Sequence, residues 1–289
     1  MKSDLKTGLS GCKLELFGNS LVKTSSCPSY NKRLLEQARK QIFFSNFQFK
    51  NIDSPKVFSM NGGCYQKESE LYYFEMEYVS GYSFKDYLAF ANTNQILFIY
   101  ESLCEYFDFL ISQSNYYKAA HVRNKVVEKM QSFSSVEEEF LKFVLDYSEK
   151  VDFSSAPKTF CHGDLTFSNM IFRNNRIFFI DFLDSYLDSF LLDLVKLKQD
   201  LYYGWSIETQ DIPAKDKIRI WQTFTFLWKK LEKKYYYYIN LDAFKVMDAI
   251  NYFRIEPYLT NDHQRFILKS SIRKLELYEE FNRANGGKV

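Results

Sequence analysis

The spacing of apolar and polar positions changes once along the chain. Up to Gly81 the apolar residues fall into short runs. Leu9 to Phe17 and Ser20 to Lys23 read as strands, with Gly18-Asn19 between them as a turn signal. Leu34 to Phe44 has helical spacing, and its charges (Glu36, Arg39, Lys40) can lie away from the apolar stripe. Val57 to Met60 and Leu71 to Tyr78 are further strand candidates, joined across Asn61-Gly62-Gly63. From Phe84 onward the period is helical. Ile96 to Ile111 and Val136 to Tyr147 read as amphipathic helices, the second with Ser135 and Glu138 placed for a capping box. Phe190 to Leu201, Lys215 to Tyr238, Leu241 to Tyr252 and Asn261 to Phe281 continue the series. Only Met170 to Phe182 returns to strand spacing. This segregation predicts an α+β chain, a small β-rich lobe followed by a larger α-rich lobe that carries a β-hairpin.

Composition narrows the class. The 289 residues are 46% hydrophobic and 19% aromatic, enough for a sizeable core. Ten glycines and five prolines exclude collagen-like or low-complexity chains. Lys and Arg number 38 against 36 Asp and Glu, and a net charge of +2 argues against a nucleic-acid binder. The run Lys233 to Tyr238 sets basic residues beside stacking rings, yet in a helical lobe it reads as core. Met1 to Leu16 lacks the apolar segment of a secretory signal, and no apolar run approaches the roughly 20 residues of a membrane helix. No membrane insertion and a cytoplasmic location are therefore expected. Cys12, Cys27, Cys64, Cys104 and Cys161 are scattered, with no Cys-x-x-Cys, and read as reduced thiols.

The chemistry concentrates in Phe160-Cys-His-Gly-Asp-Leu-Thr-Phe-Ser-Asn-Met-Ile-Phe172 and the following Ile177-Phe-Phe-Ile-Asp-Phe182. Met170 to Phe172 and Ile177 to Ile180 are apolar strands, and Arg173-Asn-Asn-Arg176 is a tight turn, because Asn tolerates positive φ. A two-residue turn at Asn174-Asn175 pairs Arg173 with Arg176, and counting back sets Asn169 opposite Ile180. Asn169 and Asp181 then meet at the open end of the hairpin, with Asp164 in the loop leading into it. An amide oxygen and a carboxylate suit Mg²⁺, a hard cation that completes its shell with phosphate oxygens. Asp164 is left to accept a hydroxyl proton. Together these are the parts of phosphoryl transfer.

This segment resembles the catalytic loop and metal motif of the aminoglycoside phosphotransferase and choline kinase-like family, within the protein-kinase-like fold. The shared pattern is His162-Gly-Asp164, Asn169 five residues on, then Ile180-Asp181-Phe182 after a hairpin. Protein kinases carry Arg where this chain has Gly163, and Asp-Phe-Gly where it has Asp181-Phe182-Leu183. Both departures point to the small-molecule branch. The resemblance implies Asp164 as the catalytic residue and Asn169 and Asp181 as the metal ligands. Asp193, leading the next helix, matches a structural Asp that bonds the catalytic loop. It also implies a two-lobe division, residues 1–82 binding nucleotide and residues 83–289 carrying catalysis and the acceptor.

Within the first lobe, Gly8-Leu-Ser-Gly11 lies where a phosphate-covering loop belongs, with Ser10 able to add a hydroxyl donor. An ordinary hairpin turn fits the same residues. Lys23 is placed like the strand lysine that contacts α- and β-phosphates, and Glu36 on the next helix is its expected ion-pair partner. Two solvated charges are the plainer alternative. Phe74 to Gly81 looks like the family's hinge, where backbone atoms of Glu77 and Val79 would meet the adenine. His162 reads as a packing and hydrogen-bonding residue, and Lys196 and Lys198 as helix-face charges. The expected activity is ATP- and Mg²⁺-dependent transfer of the γ-phosphate to a hydroxyl of a small molecule. The stretch from His162 to Lys196 also looks like kinase-like proteins of bacterial surface-polysaccharide pathways, which favours a sugar-type acceptor. Choline, for which Tyr202, Tyr203, Trp205, Trp221 and Trp228 offer a cage, an aminoglycoside, or a non-catalytic nucleotide-binding scaffold remain alternatives.

Overall fold

A computed structural model describes residues 3–5, 11–61, 70–135, 137–259 and 261–285. The chain opens with β1 (Ser3–Leu5), β2 (Lys13–Phe17), β3 (Ser20–Thr24), α1 (Asn31–Phe44), β4 (Ile52–Asp53), β5 (Val57–Met60), β6 (Tyr73–Glu77) and α2 (Phe84–Leu88). It continues with α3 (Thr93–Ser112), β7 (Asn115–Tyr116), α4 (Ala119–Gln131), α5 (Glu138–Ser148) and β8 (Pro157–Lys158). The hairpin β9 (Met170–Arg173) and β10 (Arg176–Phe179) precedes α6 (Phe190–Leu201), α7 (Trp205–Thr209), α8 (Ala214–Lys234), α9 (Tyr236–Ile239), α10 (Asp242–Ile255), α11 (Asp262–Ile272) and α12 (Glu276–Ala284). The architecture is α+β and protein-kinase-like, a small N-terminal sheet region followed by a larger helical part.

Two compact units are present. The first comprises Met1–Phe90, His162–Asp164 and Ser168–Asp184; the second comprises Ala91–Cys161, Leu165–Phe167 and Ser185–Val289. The hairpin thus clusters with the N-terminal sheet although it lies eighty residues further along the chain.

In the first unit an antiparallel sheet has the order β1-β2-β3-β6-β5. Gly18, at φ +59°, makes the turn that pairs Phe17 with Ser20. The inner face of the sheet packs Phe74 and Met76 against Leu34 and Ala38 of α1, with Cys12 and Tyr72 completing the cluster. The spacing of Leu34 and Ala38 is one helical turn, which is why a single stripe of α1 covers the sheet. A second sheet has the order β4-β10-β9, with β4 parallel to β10. In its hairpin Arg173 pairs with Arg176, and Asn174 and Asn175 take φ +48° and +56°, the geometry of a type I′ turn. Gly81 lies so close to this hairpin that a Cβ there would stand 2.5 Å from Ile171 Cγ2 and 2.8 Å from the Phe172 carbonyl oxygen.

The second unit is built around α6, whose twelve residues are all buried between α3, α8 and α10. Lys196 and Lys198, expected as helix-face charges, are therefore both buried. Lys198 pairs with Asp248 of α10 at 2.8 Å, and Lys196 Nζ donates to Gln199 Oε1 at 3.1 Å. Three further expectations change. The helix expected from Lys215 to Tyr238 breaks at Tyr235, whose hydroxyl is 2.9 Å from Asp108 Oδ1. Tyr236 and Tyr237 beyond it are exposed, not core. Ser135 does not form a capping box, because its hydroxyl donates to Glu256 Oε2 and α5 starts after Glu137.

Candidate active site

The site grows from the open end of the hairpin. Ile180 N donates to the Asn169 carbonyl at 3.0 Å, the register that places Asn169 opposite Ile180. Asp181 follows at φ +59°, a left-handed conformation that Asp adopts more readily than most residues. That conformation ends the strand, and Asp181 Oδ1 accepts from Lys23 Nζ at 2.7 Å. Lys23 is the fourth of the five residues of β3, is almost fully buried, and sits between Leu14 of β2 and Phe74 of β6.

The loop that carries Asp164 is ordered by His162. Its Nε2 lies 2.9 Å from the Ile180 carbonyl, and its Nδ1 lies 3.2 Å from Asp164 N. A carbonyl only accepts and an amide N–H only donates, so the proton must sit on Nε2 and the ring is neutral. Burial pushes the His162 pKa down to about 4, which agrees. The ring packs on Phe182 at 4.4 Å, and Phe182 packs on Phe44 of α1 at 5.1 Å. Leu183 N closes the turn onto the His162 carbonyl at 2.9 Å, and Lys40 Nζ of α1 caps the Leu183 carbonyl at 2.8 Å. His162 therefore braces the loop, as expected of a packing residue. Gly163, at φ +86°, occupies a conformation that favours glycine.

Asn169 ties the loop to the hairpin. Its Nδ2 donates to the Asp164 carbonyl at 2.8 Å and to Asp164 Oδ2 at 3.0 Å. The amide nitrogen is spent on Asp164, which leaves Oδ1 as the acceptor end. Within the first unit two bonded pairs therefore form, Lys23 with Asp181 and Asn169 with Asp164, and the backbone bond from Ile180 N to the Asn169 carbonyl sets them side by side at the open end of the hairpin.

Other expected residues are placed differently. Glu36 is not at Lys23. It is half-buried and pairs with Arg39 at 2.8 Å, while Gln37 Oε1 accepts from Lys23 Nζ at 3.1 Å. One residue along a helix is a rotation of about 100°, enough to turn Glu36 off the inner face. Gly11 has φ +69°, whereas Gly8 and Ser10 lie outside the described residues. In the hinge segment Glu77 N donates to the Lys56 carbonyl at 2.8 Å and Tyr78 N to the Asn19 carbonyl at 2.8 Å, so the Glu77 N–H is already engaged. Val79 is buried.

Asp193 accepts from the Tyr106 hydroxyl at 2.6 Å. Asp200, seven residues later on α6, was not anticipated. It accepts from Phe167 N at 2.7 Å and from the Ser206 hydroxyl at 2.7 Å, and burial raises its carboxyl to about 6. Gln37 and Lys40 were likewise missed. The Gln37-x-x-x-Gln41 spacing, two amides on the inner face of an otherwise apolar stripe, was the available signal.

Residues 28–233 match the family model described as the phosphotransferase enzyme family, APH. The chain belongs to that family and is a phosphotransferase. Solved structures with the same fold include a glucosamine kinase in complex with glucosamine, ADP and inorganic phosphate. It is 13% identical at a TM-score of 0.53, with 95% of this chain and 76% of that one covered. The ADP-bound aminoglycoside phosphotransferase APH(2'')-Ib is 15% identical at a TM-score of 0.51, covering 96% and 93%. The GDP and kanamycin complex of APH(2")-IIia is 13% identical at 0.55, covering 99% and 93%. At these identities the likeness is one of fold. No curated protein sequence matches the chain. No helix among the described residues is long and apolar enough to cross a membrane.

Proposed function

We propose that the protein transfers the γ-phosphate of ATP to a hydroxyl of a small, sugar-type acceptor, with Asp164 as the catalytic residue. The observation that supports this reading is the pair Lys23–Asp181 beside the pair Asn169–Asp164, the two held together by the Ile180 to Asn169 backbone bond of the hairpin. Lys23 is the cation for the nucleotide phosphates, and Gly11 and the backbone of Glu77 and Val79 are assigned to the phosphate loop and the adenine. Asn169 Oδ1 and the Asp181 carboxylate fit Mg²⁺. They are hard oxygen donors, too few to fill an octahedral shell, as suits an ion shared with phosphate oxygens. When bound, the ion supplies charge neutralisation at those oxygens.

The acceptor oxygen attacks phosphorus, the bond from the γ-phosphorus to the β–γ bridging oxygen breaks, and the hydroxyl proton passes to the Asp164 carboxylate. Asn169 Nδ2 holds one Asp164 oxygen in place, which orients the carboxylate before the acceptor arrives. His162, fixed in one neutral tautomer, holds the Asp164 backbone. For the acceptor, a net charge of +2 does not favour a polycation, and the glucosamine complex of a protein of the same fold fits the sugar reading. The test is Asp164→Asn, with sugars, choline, nucleosides and aminoglycosides screened for ADP release. Nucleotide affinity should stay nearly unchanged while acceptor-dependent turnover falls by roughly a hundredfold to ten-thousandfold. Loss of nucleotide binding together with turnover would assign Asp164 to the metal or the fold.

A further inference from the structure

Lys23 has two acceptors among the described residues, and only one of them is charged. Asp181 Oδ1 lies at 2.7 Å and Gln37 Oε1 at 3.1 Å. The Gln37 amide is held in one orientation from both sides. Its Nε2 donates to the Tyr30 hydroxyl at 3.1 Å, and an ammonium tolerates only the oxygen end. The nearest carboxylate on the helix, Glu36, is turned outward onto Arg39. Helix α1 therefore gives this buried lysine a dipole and no counter-charge, and Asp181 is left to balance it.

We propose that Gln37 is a positioning residue that fixes Lys23 without neutralising it, so that the nucleotide and the divalent cation bind as a coupled pair. The inference rests on the reading in which Asp181 takes the cation and Lys23 the phosphates. A cation arriving alone meets a carboxylate already compensated by Lys23. A nucleotide arriving alone meets an ammonium already engaged by Asp181. With both present, the ammonium turns to phosphate, the carboxylate to the cation, and each raises the affinity of the other by the same factor. A glutamate at position 37 would loosen this exchange, because Lys23 would keep a partner whichever way Asp181 turned.

The experiment uses Mn²⁺ and ADP as probes. Protein-bound Mn²⁺ is measured by electron paramagnetic resonance with and without ADP, and ADP by calorimetry with and without Mn²⁺. The wild-type protein should bind Mn²⁺ about tenfold or more tightly with ADP present. In Gln37→Glu the added charge should strengthen Mn²⁺ binding without ADP and weaken ADP binding without Mn²⁺, each by about tenfold. Gln37→Leu removes the acceptor without adding charge. It should weaken ADP binding and leave Mn²⁺ alone no tighter, a direction that a packing defect in Gln37→Glu would share and a charge effect would not. Equal Mn²⁺ affinity with and without ADP in the wild type overturns the coupling alone, as does a Gln37→Glu variant with unchanged affinities. Mn²⁺–ADP binding that survives intact in Asp181→Asn overturns the site assignment, and the inference with it.

Discussion

In each unit a buried lysine is bonded to an aspartate, and the two pairs have different fates. Lys23 meets Asp181 at 2.7 Å, and Lys198 meets Asp248 at 2.8 Å. The lysines are equally hidden, at 7% and 9% side-chain exposure, but Asp181 is 50% exposed and Asp248 only 3%. Asp248 Oδ2 also accepts from the Tyr203 hydroxyl at 3.1 Å, and Lys198 lies 5.5–5.7 Å from the ring centres of Phe244, Tyr203 and Tyr202. Asp181 sits instead at the end of a strand in a left-handed conformation, beside a neutral glutamine acceptor for its lysine. Two identical ion pairs thus become different devices through the exposure of one carboxylate. Water and ligands can replace the lysine at Asp181, whereas nothing can at Asp248. The sealed pair fixes α6 against α10, and the open pair is available for exchange.

The largest effect should come from breaking the sealed pair. Asp248→Ala leaves the Lys198 charge buried beside aromatic rings, and should cost about 3–5 kcal/mol. Replacing both partners, with Lys198→Met and Asp248→Leu together, should recover most of that loss, because the desolvation penalty disappears with the charges. Thermal unfolding of the two variants decides it. A loss near zero in Asp248→Ala would mean the pair is not sealed and would erase the contrast.

A smaller effect separates the units by pH. His162 of the first unit is depressed to about 4, so it stays neutral in the fold while the unfolded chain takes up a proton. Its contribution is complete above pH 6.5 and is lost as pH falls toward 4, by about 3 kcal/mol. Asp200 of the second unit is raised to about 6, so its contribution is complete below pH 3.8 and is lost as pH rises through 6, by a similar amount. The two slopes oppose each other between pH 4 and 6. Asp200→Asn removes one of them, so denaturant midpoints of that variant should fall more steeply on acidification from pH 6.5 to 4.5 than those of the wild type. Parallel curves would show that Asp200 does not titrate in this range.

What the sequence revealed follows the range of the interactions. The hairpin was legible because its register is local. Asn174 and Asn175 can take positive φ, and counting from them places Asn169 opposite Ile180. The alternation in β2, β3, β5 and β6 was legible for the same reason. The burial of α6 was not, because Lys198 is matched by a residue fifty positions later and nothing near it announces Asp248. Helix phase was a third obstacle. Glu36 was expected at Lys23 as the acid on the helix that follows the strand lysine, but the position that faces Lys23 is the next one, and it holds an amide. Asp164, Asn169 and Asp181 stood out in the sequence because their spacing resembles a family motif, whereas the contacts of Gln37, Lys40 and Asp200 emerge only from the packing.

The smallest stability effect belongs to the open pair, and it sharpens the comparison most. Asp181→Asn suits the test because Asn tolerates the φ of +59° that Ala would resist. Asn keeps an oxygen for Lys23 to donate to, and water reaches the exposed side of the position, so the lysine is not stranded as Lys198 would be. The loss of stability should be about 1 kcal/mol or less, as for a pair with one partner open to solvent. Turnover should behave in the opposite way. An amide is a poor ligand for a hard cation compared with a carboxylate, and the charge that balances Lys23 is gone. Acceptor-dependent ADP release should therefore drop by at least about a hundredfold, in the range seen when one electrostatic group of an active site is removed. Thermal unfolding and turnover measured on the same preparation give both numbers. A variant that unfolds like Asp248→Ala would make the Lys23–Asp181 pair a second structural pair. A variant that turns over like the wild type would remove Asp181 from the site.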